Sequence, residues 1–153
     1  MSPTNMTAEQ IKAAIRKANE ITNTRNEAEI LAYYDERYTP DVVAHNLAMG
    51  TEVKGLDALK KNLDLTAFPD MRYTIEDIIV EGDKAFLRRT WTGTHKGKLT
   101  ASAGNLPPTG KKVTMTQFFV LRHEGGKIAE IWQLANRLSF YQQLGVTPTP
   151  EMK

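Results

Sequence analysis

The chain has 153 residues, 41% of them apolar and 25% charged, and its 20 Lys and Arg offset 18 Asp and Glu to leave a formal charge of +2. That length suits one domain burying about two-thirds of its unfolded surface, and the interspersed charges exclude a sustained basic face for nucleic acid. The absence of cysteine excludes disulfides, thiolate metal ligation and thiol catalysis.

Thr7 followed by Gln10 has the spacing of a capping box, and Ile11, Ala14, Ile15, Ala18 and Ile21 recur at helical intervals. A first helix is predicted from about Ala8 to Thr22. Ala28, Leu31, Tyr34 and Tyr38 predict a second helix that ends before Pro40, its aromatics packed in the core. The segment DVVAHNLAM then reads as a strand covered by a helix, with His45 on the face of Val43 and Leu47. Gly50 and Gly55 punctuate the chain, and Leu56, Leu59, Leu63 and Leu65 predict a third helix ending before Phe68-Pro69-Asp70.

From Met71 onward the chain alternates extended segments with turns: MRYTIEDIIV, KAFLRRTWTGTH, KVTMTQFFVLRH and KIAEIWQLAN, the last running into a short helix. Helices first and an antiparallel meander afterwards give an α+β fold over a single domain, 1–153: a conical barrel of N-terminal helices packed on a curved, mainly antiparallel sheet. The segment KGKLTASAGNLPPTGKK reads as an irregular rim loop, a lid or a dimer contact, and lacks the Gly and Lys spacing of a phosphate loop. No apolar run approaches the roughly 20 residues of a membrane helix and no leader pattern opens the chain, so a cytoplasmic protein without a membrane partner is expected.

Strand alternation assigns faces. Val113, Met115, Phe119 and Leu121 share a side with Gln117, and Ala85, Leu87 and Trp91 share one with Arg89 and His95, so Arg89, Gln117 and His95 are expected to point inward. Glu130, Trp132 and Asn136 fall at even spacing and read as a pocket floor. Phe118, Val120 and Ile131 are expected on an outer, dimerising face.

Such polar intruders either satisfy one another as a structural network or converge on a ligand pocket walled by Trp91, Met115, Phe119 and Trp132. His45 and His95 are candidate general acids or bases, each also readable as a surface or hydrogen-bonded residue, and His123 is expected to be solvated. Glu130 is either a desolvated acid of raised pKa or, preferably, an ion-pair partner of Arg89. Asn136 cannot move a proton but can bind a carbonyl oxygen and its developing charge. No metal-ligand spacing is present.

As an ordered set, the motifs YTPDVVAHN, GLDALKKNL, FPDMRYTIEDIIVEGDKAFLRRTWTGTHKG and LPPTGKKVTMTQFFVLRHEGGKIAEIWQLANRLSFYQQLG resemble the SnoaL-like polyketide cyclase (ester cyclase) family of the nuclear transport factor 2-like fold. The resemblance implies a conical α+β barrel, a homodimer or homotetramer, and a cofactor-independent pocket in which an aspartate promotes aldol ring closure. The family places that aspartate in the pattern Glu-x-Trp-x-x-x-Asp ahead of Gln-Leu-Gly. Glu130, Trp132 and Gln143-Leu144-Gly145 match the pattern, and Asn136 stands at the aspartate position. Three readings remain open: an isomerase, cyclase or hydrolase acting on a hydrophobic, oxygenated small molecule; a non-catalytic binding module with the same pocket; and a homo-oligomerisation domain with a vestigial pocket.

Overall fold

A computed structural model describes residues 5–101 and 104–146. Helix α1 (Ala8–Asn23) starts where predicted: the Thr7 side chain accepts the Gln10 backbone N–H at 3.1 Å, and Gln10 Oε1 accepts the Thr7 backbone N–H at 2.8 Å. Its Ile11 and Ile15 are buried. Helix α2 (Glu27–Arg37) is capped by Asn26 and passes directly into β1 (Tyr38–Asn46). Tyr38, expected at the helix end, therefore opens a strand. The strand's pairing is irregular between Tyr38 and Val43, where Pro40 has no N–H to give.

Strand β2 (Thr51–Lys54) and helix α3 (Leu56–Lys61) follow, the helix ending before Leu63 and Leu65. Then come β3 (Arg72–Glu81), β4 (Lys84–Thr94), the short pair β5 (Leu99–Ala101) and β6 (Gly104–Leu106), β7 (Lys112–Glu124), β8 (Lys127–Ala135) and α4 (Arg137–Gln143). The predicted irregular rim loop thus contains a small antiparallel ladder, and positions 102–103 of that expectation lie outside the described residues.

The main sheet runs β2-β1-β8-β7-β4-β3. All its neighbours are antiparallel except β1 and β8, which pair in parallel and make the sheet mixed. One face receives α1: Ile11 and Ile15 pack with Leu87, Phe119, Leu121 and Ile131. A second cluster, Phe68, Trp91, Val113, Phe140 and Leu144, fills the other end. Gln143 docks α4 there, accepting the Thr114 N–H and donating to the Thr114 carbonyl, both at 2.8 Å. The Gln-Leu-Gly motif is thereby structural, since Leu144 is buried and Gly145 turns the chain at a φ of 81°.

One irregularity decides which residues can reach the interior. Opposite Arg122 and His123 the register of β8 jumps from Glu130 to Ile128, leaving Ala129 as an extra residue. A single inserted residue reverses the facing of every later side chain. Ile128 points inward, and beyond the bulge it is Ile131, Gln133 and Ala135 that lie beside Leu121, Phe119 and Gln117.

Candidate small-molecule site

The concave face and the helices enclose two adjoining chambers, of about 190 Å³ and about 270 Å³. Tyr34, Tyr38, Arg89 and Phe119 border the first, whereas Trp91, Met115, Gln117 and Tyr141 border the second. Asp64, Met71 and Tyr73 border both.

Arg89 occupies the middle of this arrangement. Its Nε donates to Gln117 Oε1 at 2.9 Å, and its guanidinium carbon lies 4.0 Å from the Tyr73 ring centre and 4.7 Å from that of Phe119. A guanidinium this close to two aromatic rings gains cation–π attraction from both. Tyr34 and Tyr38 meet edge to face, with ring centres 5.1 Å apart. Burial raises the pKa of both phenols, against a lowering influence from Arg89, so both are neutral hydrogen-bond donors near pH 7.

Asp64 is the carboxylate common to both chambers. Burial pushes its pKa upward, but hydrogen bonds from Thr66 and Ala67 and the charge of Arg25 outweigh that effect and hold it low. Its Oδ1 accepts the Thr66 N–H at 2.8 Å and the Thr66 hydroxyl at 2.7 Å. Two asparagines one helical turn apart fix the neighbouring wall. Asn23 accepts the Tyr73 N–H at 2.7 Å and donates to its carbonyl at 2.9 Å, and Asn19 donates to the same carbonyl at 3.1 Å.

The sequence-predicted residues divide into two groups. Arg89, Trp91, Gln117 and Phe119 share the inner face as expected. Glu130 and Trp132 do not form a pocket floor, because the bulge at Ala129 turns them to the outer face. There Glu130 Oε2 lies 2.6 Å from His45 Nε2, its Oε1 accepts from Arg122 Nε at 3.2 Å, and the His45 ring stacks on Trp132 at 5.3 Å. The ion-pair partner of Glu130 is thus Arg122 rather than Arg89. The His45 hydrogen bond, then Arg122, lowers its pKa despite partial desolvation.

His95 does lie on the inner side, fully buried at 0% exposure. It borders neither chamber: its Nδ1 accepts the Thr109 N–H at 3.1 Å, its ring stacks on Phe68, and burial lowers its pKa. His123, expected to be solvated, is buried against Arg37, whose Nη2 lies 3.3 Å from its Nε2. Ile131, expected on the outer face, is 7% exposed and belongs to the core, while Leu134 takes the outer position beside Phe118.

Asn136 is the exposed N-cap of α4, its Oδ1 accepting the Ser139 N–H at 3.1 Å. It is not among the residues that border either chamber. Among the described residues no three His, Asp or Glu side chains gather as a metal-binding set, and no helix is long and apolar enough to cross a membrane.

Sequence reading missed Asp64, Tyr73 and Arg25 and took Tyr34 and Tyr38 for core. The Asp-x-Thr turn at 64–66 and the Tyr34/Tyr38 pair at helical spacing carry a signal, but no local pattern distinguishes a phenol lining a cavity from one filling a core.

A curved sheet closed by N-terminal helices around an internal cavity defines an α+β cone of the nuclear transport factor 2-like class. The model of the SnoaL-like polyketide cyclase family matches residues 12–144, and the chain belongs to that family. Among solved structures, AclR from Streptomyces galilaeus, a proposed hydroxylase, is 28% identical, with a TM-score of 0.74 over 95% of this chain and 87% of that one. IdmH from Streptomyces antibioticus, a proposed polyketide cyclase, is 27% identical, with a TM-score of 0.71 over 88% of this chain and 98% of that one. A SnoaL-like protein from Jannaschia sp. CCS1 shares the fold at a TM-score of 0.76 and 17% identity, over 94% of this chain and 99% of that one. No curated protein matches the chain.

Proposed function

We propose that the cone binds a hydrophobic, oxygenated small molecule and enolises it, as a cofactor-independent isomerase or cyclase does. The observation carrying this reading is that an ionised carboxylate, Asp64, borders the same chamber as the neutral phenols of Tyr34 and Tyr38 and the guanidinium of Arg89. In the proposed step Asp64 takes a proton from the carbon beside a carbonyl. The C–H electron pair forms the enolate C=C bond, and the carbonyl π electrons move to oxygen. The phenols and Arg89 face that oxygen's charge, the division of labour expected when one group accepts a proton and others stabilise an oxyanion. Return of the proton from Asp64 to the γ-carbon of a conjugated dienolate gives isomerisation; attack of the enolate carbon on a second carbonyl forms the ring bond, and the resulting alkoxide takes the proton back from Asp64.

Exchange of the α-protons of an aromatic β-keto ester with D₂O, followed by NMR, tests the step directly. Wild-type protein is expected to accelerate exchange, and Asp64→Asn to lose about 10²–10⁴-fold of that acceleration. Ligand binding by wild type without exchange would leave the cone a binding module, and full exchange by Asp64→Asn would place the base elsewhere. The protein is further proposed to be a homodimer joined through the outer sheet face, where Phe118, 44% exposed, adjoins Leu134, 47% exposed.

A further inference from the structure

The two chambers are separated along one cross-strand line of the sheet. Ile75, Arg89, Gln117 and Ala135 are consecutive register partners on β3, β4, β7 and β8. Leu87 and Phe119 lie on one side of that line and border the first chamber; Trp91 and Met115 lie on the other and border the second. The Arg89–Gln117 hydrogen bond spans the line, and Tyr73, under the guanidinium, borders both chambers. Arg89 spends its Nε on Gln117, and among the described residues its two Nη nitrogens hydrogen-bond no protein acceptor.

We infer that Arg89 is the specificity-determining residue of the cone, a charged partition that admits a two-lobed ligand whose middle carries a carbonyl or carboxylate oxygen. One apolar lobe lies between Tyr34 and Phe119, the other between Trp91 and Met115, and the central oxygen accepts from the Nη groups of Arg89. A wholly apolar ligand of the same shape leaves the guanidinium desolvated without a new partner, which penalises it. A one-lobed ligand fits a single chamber and is read by Arg89 only at its end. This inference rests on the small-molecule reading above and specifies the ligand class for the same cone.

Three probes test it by equilibrium dialysis: acetophenone, with one ring; benzophenone, with two rings and a central ketone; and diphenylmethane, with two rings and no oxygen. Wild type is expected to bind benzophenone at least about 10-fold more tightly than diphenylmethane, the order of discrimination a charge-assisted hydrogen bond supplies. Arg89→Met is expected to bring the two within about 2-fold of each other by losing benzophenone affinity while retaining diphenylmethane. Should Arg89→Met fail to fold by circular dichroism, Gln117→Met, which releases the Nε of Arg89, is expected to reduce the preference several-fold. Acetophenone binding with no preference for benzophenone in wild type, or a preference that survives substitution, overturns the partition alone. Failure of wild type to bind any of the three overturns the partition together with the small-molecule reading.

Discussion

Replacing Asn136 separates two roles that the position can play. As the N-cap of α4, its side chain contributes one exposed hydrogen bond of 3.1 Å to the Ser139 N–H. Asn136→Ala removes that acceptor and is expected to cost about 1 kcal/mol, lowering Tm by about 2–4 °C for a chain of this size. The helix stays docked, because Phe140 and Leu144 remain buried and Gln143 keeps both bonds to Thr114. Asn136→Asp keeps the acceptor and adds negative charge at a helix start whose first turn holds no acidic residue. It is expected to be neutral or to stabilise by about 0.3–1 kcal/mol. Urea denaturation of the three proteins at pH 7 measures both differences. A loss of more than about 2 kcal/mol in Asn136→Asp would refute the cap assignment, since only a carboxylate driven into a closed, apolar site costs that much.

Acid sensitivity is the next expectation. Burial first, then repulsion from Arg37, holds the pKa of His123 below that of an exposed imidazole, and burial does the same for His95. Both are neutral in the fold and bind protons more readily when unfolded. Their contribution is therefore fully present above about pH 6.5 and is lost as pH falls from there through the folded pKa values. Tm should decline between pH 7 and pH 5, less steeply in His123→Asn, and a wild-type Tm that rises over this range contradicts the burial of both rings. For the outer face, light scattering at micromolar concentration should report a dimer and Phe118→Glu a monomer; a wild-type monomer at about 100 μM removes the proposed interface.

The fold was legible where periodicity and cap chemistry agreed. The Thr7/Gln10 box, the two N-terminal helices and the four long strands all follow from short-range pattern, and the inward placement of Arg89 and Gln117 follows from simple alternation in strands that pair without interruption. Alternation failed in β8 because Ala129 is unpaired in register, a feature that periodicity within KIAEIWQLAN does not announce. His123 shows a different limit. Its neighbours Glu124, Gly125 and Gly126 announce a turn, but its burial is imposed by Arg37, 86 positions away in sequence. Tyr73 is fixed at the cavity by Asn19 and Asn23 of α1, 54 and 50 positions away, and Asp64 borders the same chamber as Arg25 and Tyr34, pairings that no local window contains.

The two halves of the Glu-x-Trp-x-x-x-Asn pattern do different physical work. Glu130 and Trp132 bind His45 across the sheet's single parallel pairing, by a 2.6 Å hydrogen bond and a stacked ring, and so tie the early strand β1 to the last strand β8 on the outer face. None of His45, Glu130 and Trp132 borders either chamber. Asn136 sits where the chain leaves the strand, in a capping position that accepts Asn and Asp almost equally well. The fold therefore places little demand on a carboxylate there, and an aspartate can be exchanged for asparagine without structural penalty whenever chemistry no longer requires it. In the function proposed above the acid-base group comes from a loop instead: Asp64, held by Thr66, borders both chambers, the first together with Tyr34, Tyr38 and Arg89. Within the motif it is the intervening Ile131, Gln133 and Ala135 that border the cavity, while Glu130, Trp132 and Asn136 do not, and Asp64, Tyr34 and Arg89 come from segments outside it.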